Sequence, residues 1–184
     1  MIPRVVITGR PGVGKSTLFM NILDTLKSHG YKIAGIHSPE VRSSGYRIGF
    51  RFVDLYDGYS SWLAKKNFSS PIRIGRYGVV VNEALNLWKR ALQNMERADI
   101  VGIDEVGPME LKLPGFKDDL LNKVLEIKKP IILVIHFRLR DKDILSKLRD
   151  AIWYEVTINN RYLLNKKVPI EVLKLVREFY ERRY

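Results

Sequence analysis

Apolar residues recur along this chain with two different periods, and the alternation of those periods predicts a succession of strands and helices. "RVVIT" (4–8) is a short continuous apolar run and reads as a strand. From Lys15 to about His29 the apolar positions Leu18, Phe19, Ile22, Leu23 and Leu26 fall on one helical face, and Gly30 is the stop signal. "YKIAGIH" (31–37) is the next strand. In "YRIGFRFVDL" (46–55), Ile48, Phe50 and Phe52 alternate with Arg47, Gly49 and Arg51, which predicts a half-exposed strand. It is expected to form a hairpin with Glu40–Arg42 across the turn "SSG". Residues 56–81 are less regular, with "GRYGVVV" (75–81) as a short extended piece.

Further on, Asn82 is placed to cap a helix running to about Arg97, with Ala84, Leu85, Trp88, Ala91, Leu92 and Met95 on one face. "DIVGID" (99–104) and "KPIILVIH" (129–136) read as buried strands, with a helix after "LPGFKDD" (113–119) between them. "KDILSKLRDA" (142–151) is a short helix and "WYEVTI" (153–158) a last strand. "PIEVLKLVREFYERR" (169–183) is a terminal helix with Pro169 in its first turn. Near-continuous apolar strands spaced by amphipathic helices predict an α/β fold: a mostly parallel sheet covered by helices on both faces.

The 184 residues fit one domain, 1–184, with the hairpin as a small excursion. No apolar run approaches the ~20 residues that span a bilayer. "MIPRVVITG" reaches its glycine too soon for a secretory signal, so a cytoplasmic protein without a membrane partner is expected. There is no cysteine, which excludes disulfides and thiol chemistry. The three histidines, His29, His37 and His136, show no metal-ligand spacing. The net charge of +12 favours anionic partners, nucleotides or nucleic acid among them. A single Gln and abundant Lys, Arg and Glu equally fit the surface of a thermophile protein, and no basic block reaches the length of a nucleic-acid-binding tail.

One stretch carries chemistry outright. Gly9-Arg10-Pro11-Gly12-Val13-Gly14-Lys15-Ser16 matches G-x-x-x-x-G-K-[ST], with an apolar strand before it and an amphipathic helix after it. The glycines let the backbone turn tightly and aim successive N–H groups at an anion. The following helix points its positive end at the same place. Lys15 is expected to reach the β- and γ-phosphates of a nucleoside triphosphate, Ser16 to offer its hydroxyl to Mg²⁺, and Thr17 to make a weaker phosphate contact.

A triphosphate site also needs a carboxylate for the metal at the end of a neighbouring strand. Ile100, Val101, Gly102 and Ile103 lead through the core to Asp104 and Glu105. Asp104 is expected to hold Mg²⁺ together with Ser16. Glu105 is left free to take a proton from an attacking water. Glu110 in "PMEL" is a second, weaker candidate for that role.

"ITGRPGVGKSTL", "PEVRSSGYRIGFRFVDL", "IGRYGVVVNEAL", "IVGIDEVGPMEL" and a late "NNR" fall in an order that resembles the small nucleoside-triphosphatase family of thermophilic archaea and bacteria. That family has a human member, the cancer-related nucleoside-triphosphatase. The resemblance spans essentially the whole chain; the phosphate loop is widely shared, whereas "EVR..G.R.GF" followed by "IDE.G.MEL" is specific. It implies a three-layer P-loop fold of the RecA-like, additional-strand type. It also implies Mg²⁺-dependent hydrolysis of nucleoside triphosphates (ATP, GTP, CTP, UTP) with loose base selectivity. Carried over by position, the nucleotide-binding stretches are Gly9–Ser16 and Ile100–Gly107, including Val106. Ser16 stands where many members have Thr, and Tyr162 stands where an acidic residue is frequent.

The charge that develops on a transferred phosphoryl calls for a further cation. Arg42, Arg47 and Arg51 are candidates; Arg47 and Arg51, four apart on a strand, are expected to share a face. Arg73 and Arg76 form a second pair. Arg161, beside Asn160 after the last strand, is expected near the ligand crevice, where its guanidinium can stack on a base. Arg10 is expected to face outward from the loop. Two other readings stand beside a monomeric triphosphatase: a kinase for a nucleoside, nucleotide or polynucleotide end, and a nucleotide-regulated RNA-binding switch motivated by the net charge.

Overall fold

A computed structural model describes residues 2–182. Ten strands form one sheet: β1 (Arg4–Thr8), β2 (Ile33–His37), β3 (Glu40–Ser43), β4 (Tyr46–Asp54), β5 (Ser60–Lys66), β6 (Arg73–Ile74), β7 (Tyr77–Val79), β8 (Ile100–Val106), β9 (Ile131–Ile135) and β10 (Ile152–Glu155). Five helices cover it: α1 (Lys15–Ser28), α2 (Val81–Arg97), α3 (Phe116–Asn122), α4 (Lys142–Lys147) and α5 (Arg161–Glu181). The strand order is β10-β1-β9-β8-β2-β4-β5-β7-β6, with β3 also on β4.

From β10 to β2 every pairing is parallel, and β9 stands between the phosphate-loop strand β1 and the acidic strand β8. That interposed strand is the additional strand implied by the family resemblance. α1 and α5 bury Leu18, Phe19, Ile22, Leu23, Leu26, Val168, Val172 and Val176 against one face. α2, α3 and α4 bury Trp88, Met95, Phe116, Leu120 and Ile144 against the other. Each fully buried aliphatic or aromatic side chain contributes about 1.5–3 kcal/mol, so α1, with five of them, is held mainly by its apolar face. The result is the expected three-layer α/β arrangement.

The layers approach closely where side chains are missing. Gly35 and Gly102 are direct ladder partners, and a β-carbon on Gly35 would lie 1.8 Å from the Gly102 carbonyl oxygen. A β-carbon on Gly102 would lie 3.0 Å from the ring of Phe19 on α1.

The antiparallel part is larger than a hairpin. β3 and β4 pair across Ser44 and Gly45 as expected, but β4 also pairs with β2 and β5, and the wing continues through β7 to β6. β5 falls in the stretch whose sequence pattern is weakest. The strict alternation expected in β4 also fails. Ile48 is an extra residue against the Val41–Arg42 step of β3, a bulge that reverses the facing of residues beyond it. Arg47 therefore joins Phe50 on one side, its guanidinium 5.4 Å from the Phe50 ring centroid. Arg51 turns away, onto Trp62 and the Ser60 carbonyl. Arg47 and Arg51 do not share a face.

Two helix starts differ from expectation. α2 begins at Val81, and Asn82 makes no capping hydrogen bond. α5 begins at Arg161, and Pro169 lies inside it, buried, rather than in its first turn. The first two turns of α5 are wet: Tyr162 is 71% and Leu163 50% exposed, so no amphipathic stripe marks them. Pro169 costs one backbone hydrogen bond within the helix.

Candidate active site

The loop between β1 and α1 has three glycines in the left-handed region, Gly9 (φ 145°), Gly12 (φ 78°) and Gly14 (φ 107°). Gly9 has a further reason to be glycine: its β-carbon would lie 2.4 Å from the Val156 carbonyl oxygen. No side chain caps α1, so its first-turn N–H groups remain for an anion at the loop. Pro11, Gly12, Gly14, Lys15, Ser16 and Thr17 line one wall of a cavity of about 620 Å³. Val13 points into the core, and Arg10 projects outward while its carbonyl accepts a hydrogen bond from Lys15 Nζ (3.2 Å).

The sheet brings the second acidic element to that loop. Asp104 on β8 and Ile7 on β1 are both ladder partners of Val134 on β9. Asp104 thus lies level with the end of β1, two strand spacings, or about 10 Å, away. On its other side the ladder partner is His37 of β2. His37 Nδ1 donates to Asp104 Oδ2 at 2.8 Å, the carboxylate being able only to accept. Asp104 is 3% exposed. Oδ2 is taken by His37, and Asp104 is not among the residues that line the cavity. Ile100, Val101, Gly102 and Ile103 lie within the sheet and contribute by carrying Asp104 to its end; Val106 returns to the core.

Glu105 and Glu110 both face the cavity. Glu105 Oε2 lies 4.0 Å from Lys15 Nζ. Burial raises the Glu105 carboxyl above its usual range and Asp104 adds to the rise, while the Lys15 ammonium opposes it. Glu110 is more deeply enclosed, and burial pushes it up to about 8, helped by the charges of Glu105 and Asp104. Gly107 makes room for both: a β-carbon there would lie 2.8 Å from Glu105 Oε1 and 3.1 Å from Glu110 Oε2. Ser38 Oγ is close enough to Glu110 to favour its anion, yet makes no hydrogen bond of normal geometry. His136, just past β9, joins the lining, its pKa lowered by burial and then by Lys15 and Arg138.

The arginines divide. Arg42 and Arg47 line the cavity, each paired at 2.5 Å with an oxygen of Glu40. The hydrogen bond from Arg42 is the largest of the effects that hold Glu40 below the usual carboxylate range. Arg51 lies outside the cavity. Arg73 binds the Phe68 carbonyl, and neither it nor Arg76 joins the cavity lining. Arg161, at the start of α5, rests its side chain against Gly14 from the β10 side: its Cδ would be 3.9 Å from a β-carbon there.

His37, Ser38, Glu40 and His136 have no place among the sequence-derived candidates. A signal for two of them is present in the sequence. "IAGIH", "IVGID" and "IILVIH" are parallel strands that each run into a polar residue at the edge where β1 runs into the phosphate loop.

The family model for NTPase matches residues 4–169. The chain is 42% identical over 158 residues to nucleoside-triphosphatase THEP1 of Saccharolobus solfataricus, covering 83% of this chain and 90% of that one. Among solved structures, the crystal structure of THEP1 from the hyperthermophile Aquifex aeolicus superposes with a TM-score of 0.76 at 28% identity, covering 94% of this chain and 98% of that one. The solution structure of a human cancer-related nucleoside triphosphatase gives a TM-score of 0.76 at 29% identity, covering 92% and 97%.

Proposed function

This chain belongs to the NTPase family and is a nucleoside-triphosphate hydrolase, and we propose that Lys15, Ser16, Asp104 and Glu105 carry its reaction. The loop amides and Lys15 grip the triphosphate, with the γ-phosphate at the Glu105 side of the loop. Ser16 and Asp104 are hard oxygen donors of the kind that takes Mg²⁺ together with substrate phosphates and water; they would hold the ion, which would supply neutralisation of the negative charge on the transferred phosphoryl group.

Glu105 acts as general base. Burial makes it more basic than an exposed carboxylate, while the Lys15 ammonium beside it favours its anion. A water oxygen bonds to the γ-phosphorus, the bond from that phosphorus to the β–γ bridging oxygen breaks, and the water proton passes to Glu105. The products are a nucleoside diphosphate and inorganic phosphate. Arg42 and Arg47 supply further positive charge at the γ end by exchanging Glu40 for phosphate oxygens. Base selectivity is loose, because Arg161 offers a stacking plane rather than a pattern of donors and acceptors.

The observation that carries this reading is the 4.0 Å approach of Lys15 Nζ to Glu105 Oε2 across the mouth of the phosphate loop. The test is Mg²⁺-dependent phosphate release from ATP, GTP, CTP and UTP by wild type and Glu105→Gln, with nucleotide binding followed by calorimetry. The variant is expected to bind normally and lose about 10²–10⁴-fold in turnover. Full turnover would remove Glu105 from the role.

A further inference from the structure

The cavity extends well past the phosphate loop, and always in one direction. Apart from phosphate-loop residues, its walls come from just past β9 and β2, from β3, β4 and β6, and from the end of β8 with the segment after it. All of these lie on the β9–β8–β2 side of β1, whereas β10 and the loop that follows it contribute nothing to the lining. A triphosphate held by this loop points its γ end the same way, since Lys15 serves the β- and γ-phosphates and stands beside Glu105. Its nucleoside then lies at the opposite end, toward Gly14 and Arg161. The part of the cavity beyond Glu105 is therefore not the nucleoside's place.

That far part has the make-up of a small-molecule site: an apolar wall with a few convergent polar groups. Phe50, Ile74 and Met109 form the wall. Ser38, whose Oγ is buried beside Glu110, adds a polar edge to the lining. Arg42 and Arg47 stand against the single carboxylate of Glu40, leaving one positive charge in excess. Bringing a second anion up to a γ-phosphate requires such cations between them.

Resting on the placement of the γ-phosphate given above, we infer that the cavity beyond Glu105 is an acceptor site for a nucleoside monophosphate, and that the protein transfers the γ-phosphoryl group to it as well as to water. An oxygen of the acceptor's phosphate bonds to the γ-phosphorus as the bond to the β–γ bridging oxygen breaks. The donor leaves as a diphosphate, and the acceptor becomes a diphosphate. The acceptor's phosphate has a second pKa of about 6, so at pH 7 it attacks mainly as a dianion and no proton has to be removed.

The experiment follows ATP labelled at the γ position, with Mg²⁺ and each of AMP, GMP, CMP and UMP in turn. Label is expected in the diphosphate of at least one acceptor, saturating with acceptor concentration. Phe50→Ala and Ile74→Trp, which trim and fill the apolar wall, are expected to lower labelled diphosphate about tenfold at sub-saturating acceptor. Phosphate release without acceptor should stay unchanged in Ile74→Trp, whereas Phe50→Ala also removes the ring under Arg47 and is read only on transfer. Label recovered only as inorganic phosphate with all four acceptors overturns the proposal, as does transfer that neither variant lowers. Phosphate release without acceptor reports separately on the hydrolytic reading, so one can fail while the other stands.

Discussion

His37 Nδ1 donates to Asp104 Oδ2 at 2.8 Å, and the two residues are direct partners in the parallel ladder between β2 and β8. The ladder sets the spacing of the two backbones, and the hydrogen bond fixes the orientation of a buried carboxylate. Loss of a partner that orients a metal-binding group typically costs 10–100-fold in metal affinity or activity. His37→Ala is expected to raise the Mg²⁺ concentration needed for half-maximal phosphate release by a factor of that order. His37→Asn, which keeps a donor, should recover part of the loss. An unchanged Mg²⁺ titration in His37→Ala would show that Asp104 needs no such support.

Glu110 makes stability depend on pH. Its folded pKa of about 8 lies above the ordinary 4.5, so between those values the folded state holds more protons than the unfolded one. Stability therefore falls as pH rises through this window. Glu110→Gln, a neutral near-isostere, should flatten that part of the decline in thermal midpoint between pH 5 and 9. Melting curves with parallel slopes in wild type and variant would place the ionisable group elsewhere.

On the proposed role of Arg42 and Arg47, Glu40 competes with phosphate for both. Partly exposed ion pairs of this kind are worth about 0.2–1 kcal/mol each, which corresponds to a factor of up to about five in affinity. Glu40→Gln is expected to lower KM for ATP by a few-fold at low salt, with the gain fading as salt is added. Arg42→Ala and Arg47→Ala should each raise KM. A rise in KM for Glu40→Gln would mean that the carboxylate positions the arginines productively.

The two facing glycines of β2 and β8 should differ in their tolerance of a methyl group. On Gly102 the new carbon meets the side chains of Phe19 and Leu55 at 3.0 and 3.1 Å, which can shift. Overpacking of that sort costs about 1–3 kcal/mol. On Gly35 it meets a backbone carbonyl at 1.8 Å, in a residue with φ of 132°. Denaturant unfolding should therefore show a clearly larger loss for Gly35→Ala than for Gly102→Ala; equal losses would mean that the β2–β8 ladder can separate at this point.

What the sequence determined by itself is local or repetitive. The phosphate loop is eight consecutive residues with a strand before and a helix after, so its identity follows from neighbours in the chain. The buried strands β1, β2, β8 and β9, and the core face of α1, follow from apolar runs and a 3.6-residue period. The position of Asp104 and Glu105 at a strand end follows from the same pattern. What only the tertiary structure decided depends on pairings between distant residues. The bulge at Ile48, which sends Arg47 into the cavity and Arg51 out of it, exists only once β3 is laid on β4. β5 is ordered by its partners β4 and β7, and its own sequence does not mark it. His37 becomes the partner of Asp104 across 67 residues of chain, because β2 pairs with β8. Glu110 becomes an unusually weak acid through burial beside two other carboxylates. Burial and hydrogen-bond partners belong to the folded sheet, and a pattern confined to neighbours along the chain carries no record of them.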